Sequence, residues 1–204
     1  MKLLVATHNQ GKIREYRALL TGLPADLVFL TEVGIDLPVL ESGNSFKENA
    51  IIKARAYAQA SGLLTLADDS GLEVDALGGE PGIHAARYAG PGASDADRYR
   101  LLLHNLEGVP WEKRTARFRC VVAIAAPDGR LYTAEGCCEG LIAFAPRGEH
   151  GFGYDPVFYM PDYGCTMAEL DPMVKNRVSH RARAVWAAWP LLEMLLKSQT
   201  RCLP

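Results

Sequence analysis

Between Ser45 and Gly62 the sequence marks both ends of one helix, then passes directly into the apolar run Leu63 to Ala67. Ser45 and Glu48 stand three apart, the spacing at which a hydroxyl caps a backbone N–H and a carboxylate returns the bond. The run to Ala60 is rich in Ala, and Gly62 supplies the terminator. A helix that hands over to a strand so quickly restricts the fold to classes in which helices pack on a sheet. The pattern recurs. Lys2 to Ala6 reads as a buried strand, Thr7-His8-Asn9-Gln10-Gly11-Lys12 as a polar turn, and the next segment as a helix with Ile13, Tyr16 and Leu20 at helical spacing. Gly22 and Pro24 end it, and Leu27 to Leu30 reads as a second strand.

Leu63 to Ala67 is predicted to end at Asp68-Asp69-Ser70-Gly71, residue types that favour turns. A Gly- and Pro-rich stretch follows from Gly78 to Gly92, then a helix from Ser94 to Leu106. Cys120 to Ala126 and Leu131 to Glu135 are strands joined by Pro127-Asp128-Gly129, a hairpin signal. Thr166 and Glu169 repeat the capping spacing, and Asp171-Pro172 starts a further turn. Ser179 to Lys197 reads as a helix that Pro190 should kink. This irregular mixture indicates an α/β fold with some antiparallel pairing.

A chain of 204 residues suits a single domain, 1–204, of two closely packed lobes. Its net charge of −2 gives no broad basic field, which argues against nucleic acid as a partner. The five cysteines lack CxxC spacing and read as free thiols, as expected of a cytoplasmic protein. Cys137 and Cys138, adjacent in a strand, would face opposite ways. The apolar run Leu3 to Ala6 is too short for a signal peptide, and no run approaches the length of a membrane span.

Several segments carry the residue types of phosphate chemistry. A strand, the turn Thr7 to Lys12 and a helix make a phosphate cradle, with helix N–H groups facing the anion. It is not a Walker A loop. Asn49 and Lys53 share a helix face. Asp68 and Asp69, at the C-terminal end of an apolar strand, are placed where α/β folds hold ligands, and such a pair can hold Mg²⁺ and activate water. Glu41 lies in an acidic loop. In Gly151-Phe152-Gly153-Tyr154-Asp155-Pro156 the glycines allow close backbone approach and an aromatic can stack on a base. Lys175, His180 and Arg181 gather positive charge near a helix start.

In order, these segments resemble the inosine/xanthosine triphosphate pyrophosphatase family. ATHNQGK (6–12) is similar to its T-x-N-x-x-K loop and SFKENAIIKA (45–54) to its S-F-x-x-N-A-x-x-K-A helix. ADDSGLEV (67–74), PGIHAARYAG (81–90), GFGYDP (151–156) and SHR (179–181) complete the set. The resemblance implies an α/β fold with a long central mixed β-sheet and helices forming two lobes around an active-site cleft, and a homodimer. It implies Mg²⁺-dependent hydrolysis of ITP, dITP and XTP to the monophosphate and pyrophosphate, keeping such nucleotides out of DNA and RNA. By motif position, Thr7, His8, Asn9, Gln10, Gly11 and Lys12 would hold phosphates, with Lys53 and Lys175. Glu41 and Asp69 would hold the metal, and Asp69 would take the proton from the attacking water. Ser70 would bind substrate and Phe152 would stack on the purine. Gly153 belongs to the Phe152 loop, and Tyr154, Asp155, His180 and Arg181 would line the base pocket. How Asp68 and Asp69 divide the base and metal roles stays open at this level. Two rivals fit parts of the pattern: a phosphotransferase using the Thr7 to Lys12 loop, opposed by the missing Walker A, and a non-catalytic nucleotide sensor, opposed by the carboxylates.

Overall fold

The structure is a computed structural model describing residues 1–200, so Cys202, read above as a free thiol, lies outside the described residues. The fold is mixed α/β. An eight-stranded sheet has the order β2-β1-β3-β5-β6-β7-β8, with β4 paired to β3. The strands are β1 (Lys2–Val5), β2 (Asp26–Phe29), β3 (Leu64–Val74), β4 (Pro81–Gly82), β5 (Thr115–Ala125), β6 (Leu131–Ile142), β7 (Phe158–Met160) and β8 (Cys165–Thr166). The helices are α1 (Gln10–Leu19), α2 (Phe46–Ser61), α3 (Asp95–Asn105), α4 (Pro172–Val178) and α5 (His180–Thr200). β1 pairs in parallel with β2 and β3, in register Leu3↔Leu64, while β7 is antiparallel to β6 and β8.

The chain forms two compact units, and β3, β5 and β6 each contribute to both. The first holds Met1–Asp69, Cys120–Gly136 and the described residues from Arg181. Its core packs Leu3, Val5, Ile13, Tyr16 and Leu66 with Ala182, Val185, Ala188, Leu192 and Leu195 of α5. The α5 residues recur every three or four positions, one helical stripe, and each large one contributes about 1.5–3 kcal/mol on burial. The second unit holds Ser70–Arg119 and Cys137–His180, around Leu72, Val74, Leu102, Phe118, Phe158 and Met167.

Two local expectations change. The apolar run does not stop at Asp68. β3 continues to Val74, so Asp68, Asp69, Ser70 and Gly71 are strand residues rather than a turn. β3 lies between β1 and β5 in the sheet, and turn propensity yields to strand pairing. The cap of α2 also differs: Ser45 accepts from Glu48 N (3.2 Å), but the Glu48 carboxylate accepts from Asn44 N (2.7 Å), one residue earlier than a capping box requires. The Thr166–Glu169 box is complete, as is an unforeseen one between Ser94 and Asp97. The β5–β6 turn closes through Gly129 N to Ala126 O (3.0 Å). Pro190 stands inside α5, which runs past it to Thr200. Among the described residues no helix is long and apolar enough to cross a membrane.

Candidate active site

Neighbours along a strand face opposite sides, and β3 uses this at Asp68 and Asp69. Asp68, 2% exposed, turns to α1 and α5. Its Oδ2 lies 2.9 Å from Lys12 Nζ and 3.4 Å from Arg181 Nη2, and the Cys120 thiol donates to it at 3.7 Å. Burial opposes its charge, but Lys12 and Arg181 outweigh burial and hold the carboxyl well below the usual range. Arg181 also pairs with the buried Glu15 at 2.5 Å. Asp69, 7% exposed, turns to α2. Its Oδ2 accepts from Asn49 Nδ2 (3.2 Å) and its Oδ1 faces Lys53 Nζ (3.2 Å). Burial raises its pKa, and the nearby charges of Glu41 and Asp68 raise it further against the pull of Lys53.

The Lys53 ammonium also meets Glu41 Oε1 at 3.1 Å, so one cation stands between two carboxylates. Burial disfavours its charge, but Asp69, Asp68 and Glu41 raise its pKa overall. Oxygen donors converging on a cation suit Mg²⁺, which takes one or two carboxylates and completes its shell with water and phosphate. Among the described residues no group of three or more His, Cys, Asp or Glu is arranged to hold a metal. Glu41 and Asp69, the two carboxylates expected to hold the metal, share Lys53 as their counter-ion.

The Thr7 to Lys12 turn starts α1. Thr7 Oγ1 accepts from Asn9 N (3.2 Å), and Asn9 is the N-cap, accepting from Lys12 N (3.0 Å). His8, Asn9 and Gln10 are exposed, while Gly11 is buried against the fold. A helix N-terminus beside exposed polar residues is an arrangement suited to an anion.

In the second unit, the loop 151–156 is built around Asp155. Its Oδ2 accepts from Phe152 N (2.8 Å) and meets Lys175 Nζ at 2.5 Å. Lys175 lies over the Phe152 ring, 4.9 Å from its centroid. Gly151 has φ +82°, and a Cβ there would run into the Asp155 carboxylate, so this position needs glycine twice over. Gly153 N donates to Asp95 Oδ2 (2.7 Å). Tyr154 is buried and its hydroxyl donates to Ala85 O (2.8 Å). His180 is buried and stacks on Phe118, centroids 4.6 Å apart. Ser70 is half-buried in β3, one residue after Asp69.

The structure shows the protein partners of two further residues expected at the site. Lys175, expected with the phosphates, sits with Phe152 and Asp155. Arg181, expected at the base, holds Glu15 and Asp68 in the first unit. Sequence reasoning missed Glu15, Asp95 and the contact made by Asn49. Glu15 stands one helical turn after Lys12, which places both on one face of α1; Asp95 gave no signal, because its partner is 58 residues away.

The arrangement defines a class: an α/β protein with paired strand carboxylates, a lysine among them and a capped helix start beside a lysine. The sequence profile of the Ham1 family matches residues 3–190, and the chain belongs to that family. It is 52% identical over 195 residues to a dITP/XTP pyrophosphatase of Desulforamulus reducens, covering 96% of this chain and 97% of the relative. A Bacillus subtilis protein of the same name is 47% identical over 190 residues, covering 93% and 96%. The solved structure of a HAM1 protein from Coxiella burnetii superposes with a TM-score of 0.84 at 41% identity, over 97% of this chain and 99% of that one.

Proposed function

We propose that this protein is a pyrophosphatase of non-standard purine nucleoside triphosphates, converting ITP, dITP and XTP with water to the monophosphate and pyrophosphate. The observation that carries the reading is the division between Asp68, locked by two cations, and Asp69, whose pKa is raised beside Glu41 and Lys53. A carboxylate poised toward neutrality is the better proton acceptor. The family and the names of its relatives support the same reaction.

Glu41 and Asp69 would hold Mg²⁺, which when bound would neutralise the polyphosphate and polarise its oxygens. Asp69 has lone pairs enough to hold a cation and accept the proton of the attacking water. Lys12 and Lys53 bind phosphate oxygens and stabilise the leaving pyrophosphate. The backbone and side chains of Thr7 to Gly11 orient the chain of phosphates. Phe152 stacks on the purine. Ser70, Gly153, Tyr154, Asp155, Lys175, His180 and Arg181 complete the substrate-binding set by family pattern, Tyr154 and His180 acting from buried positions. A donor to the 6-oxo group leaves the adenine amine mispaired, and sites of that kind discriminate by about 10⁴–10⁵-fold.

The reading takes residues 1–204 as a single pyrophosphatase domain, and the family match over residues 3–190 supports it. The reading includes a homodimer working in the cytoplasm and removing nucleotides before polymerases use them. The test is turnover of ITP, dITP, XTP and ATP, with phosphate detected before and after added inorganic pyrophosphatase. Phosphate is expected only after that addition, and far less from ATP. Orthophosphate without it would sink the reaction type, and equal rates on ITP and ATP the specificity. Sedimentation at micromolar concentration checks for twice the chain mass.

A further inference from the structure

Asn49 is 1% exposed, and its amide joins two parts of the first unit. Nδ2 donates to Asp69 Oδ2 (3.2 Å), and Oδ1 accepts from Gly43 N (2.8 Å). The orientation is fixed: a backbone N–H can only donate and an ionised carboxylate only accept, so oxygen must face Gly43 and nitrogen Asp69. Gly43 lies two residues after Glu41. A Cβ at Gly43 would stand 2.8 Å from Asn49 Oδ1 and 2.6 Å from Glu48 Cβ, so the loop approaches α2 as closely as glycine permits. The other end of this loop is tied by Tyr57 Oη donating to Leu37 O (2.9 Å). The loop that carries Glu41 is thus pinned to α2 on both sides, and one pin is the residue that also holds Asp69.

We infer that Asn49 is a positioning residue that sets Glu41 and Asp69 relative to each other, so that both carboxylates reach one cation. Its donor occupies Oδ2 and leaves Oδ1 toward Lys53 and Glu41. Its acceptor fixes the backbone that presents Glu41. Asn satisfies both requirements at this length; Leu, of similar size, satisfies neither, and Ala removes the link altogether. The inference rests on the reading of Glu41 and Asp69 as metal ligands.

The test measures Mn²⁺ binding to the full chain by electron paramagnetic resonance, with no nucleotide present. Wild type is compared with Asn49→Leu, Asn49→Ala, Gly43→Ala, Glu41→Gln and Asp69→Asn, each with a melting curve. Partners that orient metal ligands typically matter by about 10–100-fold in metal affinity, and that weakening is expected for Asn49→Leu and Asn49→Ala. Gly43→Ala should shift it the same way from the other side of the contact, because its Cβ would crowd Asn49 Oδ1 while residue 49 itself stays Asn. In dITP turnover, the Asn49 variants should need more Mg²⁺ for half-maximal rate and recover part of kcat at saturating Mg²⁺, with the nucleotide KM there near wild type. A purely structural role would lower the melting temperature without moving the metal dependence. If Asn49→Leu binds Mn²⁺ within about twofold of wild type while Glu41→Gln and Asp69→Asn do not, the clamp is overturned and the metal site stands. If Glu41→Gln and Asp69→Asn also bind as wild type, the ligand assignment itself fails and the clamp with it. Should Asn49→Leu not fold, Gly43→Ala decides by the same twofold criterion.

Discussion

At the scale of residues, Asp68 and Asp69 are identical in chemistry and opposite in surroundings. Asp68 sits in a buried pair with Lys12 and Arg181, and removing one partner of such a pair typically costs about 3–5 kcal/mol. Asp68→Asn is therefore expected to lower Tm strongly. Because the folded pKa of Asp68 lies below its unfolded value, its contribution is fully present above about pH 4 and is lost as the pH falls through the folded value. Wild type should lose stability between about pH 4 and 2 more steeply than Asp68→Asn, in denaturant melts at each pH. For Asp69 the sign reverses. Its pKa is raised on folding, so its charged form costs stability at neutral pH, a cost that vanishes as the pH falls below the folded pKa. Asp69→Asn should leave Tm at pH 7 equal or higher while kcat falls about 10²–10⁴-fold from loss of the proton acceptor. A kcat within a few-fold of wild type would return the role to Asp68.

At the scale of elements, the loop 151–156 is held by contacts remote in sequence. Phe152 is the residue of this loop assigned to stack on the base, so Phe152→Ala should raise KM for dITP more than it lowers kcat, by the equivalent of about 1–3 kcal/mol for one stacked base. Asp95→Ala removes the acceptor for Gly153 N and should give a smaller KM increase of the same kind; an unchanged KM in both variants would place the base elsewhere. Much of this architecture was legible from spacing alone. α2 begins and ends where Ser45 and Gly62 put it, and the β5–β6 hairpin follows Asp128-Gly129. The continuation of β3 through Asp68-Asp69-Ser70-Gly71 was not legible, because local propensity favours a turn and only strands from elsewhere in the chain could overrule it. The same reason hid Asp95: charge and order in sequence name the participants, whereas burial chooses the partners.

At the scale of the whole molecule, a cation bound only by the folded state stabilises it by mass action. The melting temperature should rise with Mg²⁺ concentration and return to baseline in excess EDTA. A cation at 100 times its Kd adds about 2.7 kcal/mol. The rise should disappear in Glu41→Gln and Asp69→Asn but survive in Phe152→Ala, which touches neither carboxylate. A rise of equal size in all three variants would move the metal away from Glu41 and Asp69. Excess EDTA should also abolish turnover, and full activity in it would remove the metal from the reaction.

The two aspartates owe their difference to parity. β1 lies parallel to β3 with Val5 opposite Leu66, and Ala6 N donates to Leu66 O at 2.8 Å, one step before the turn that ends at Lys12. This register delivers Lys12 to the even-numbered carboxylate and leaves the odd-numbered one to α2. Inserting or deleting a single residue between Leu64 and Ala67 would keep every chemical group and exchange their addresses. Such a chain would lock the acid that should work and free the one that should be locked. Tolerance of length changes in this enzyme therefore ends at β3, however well the core around it repacks.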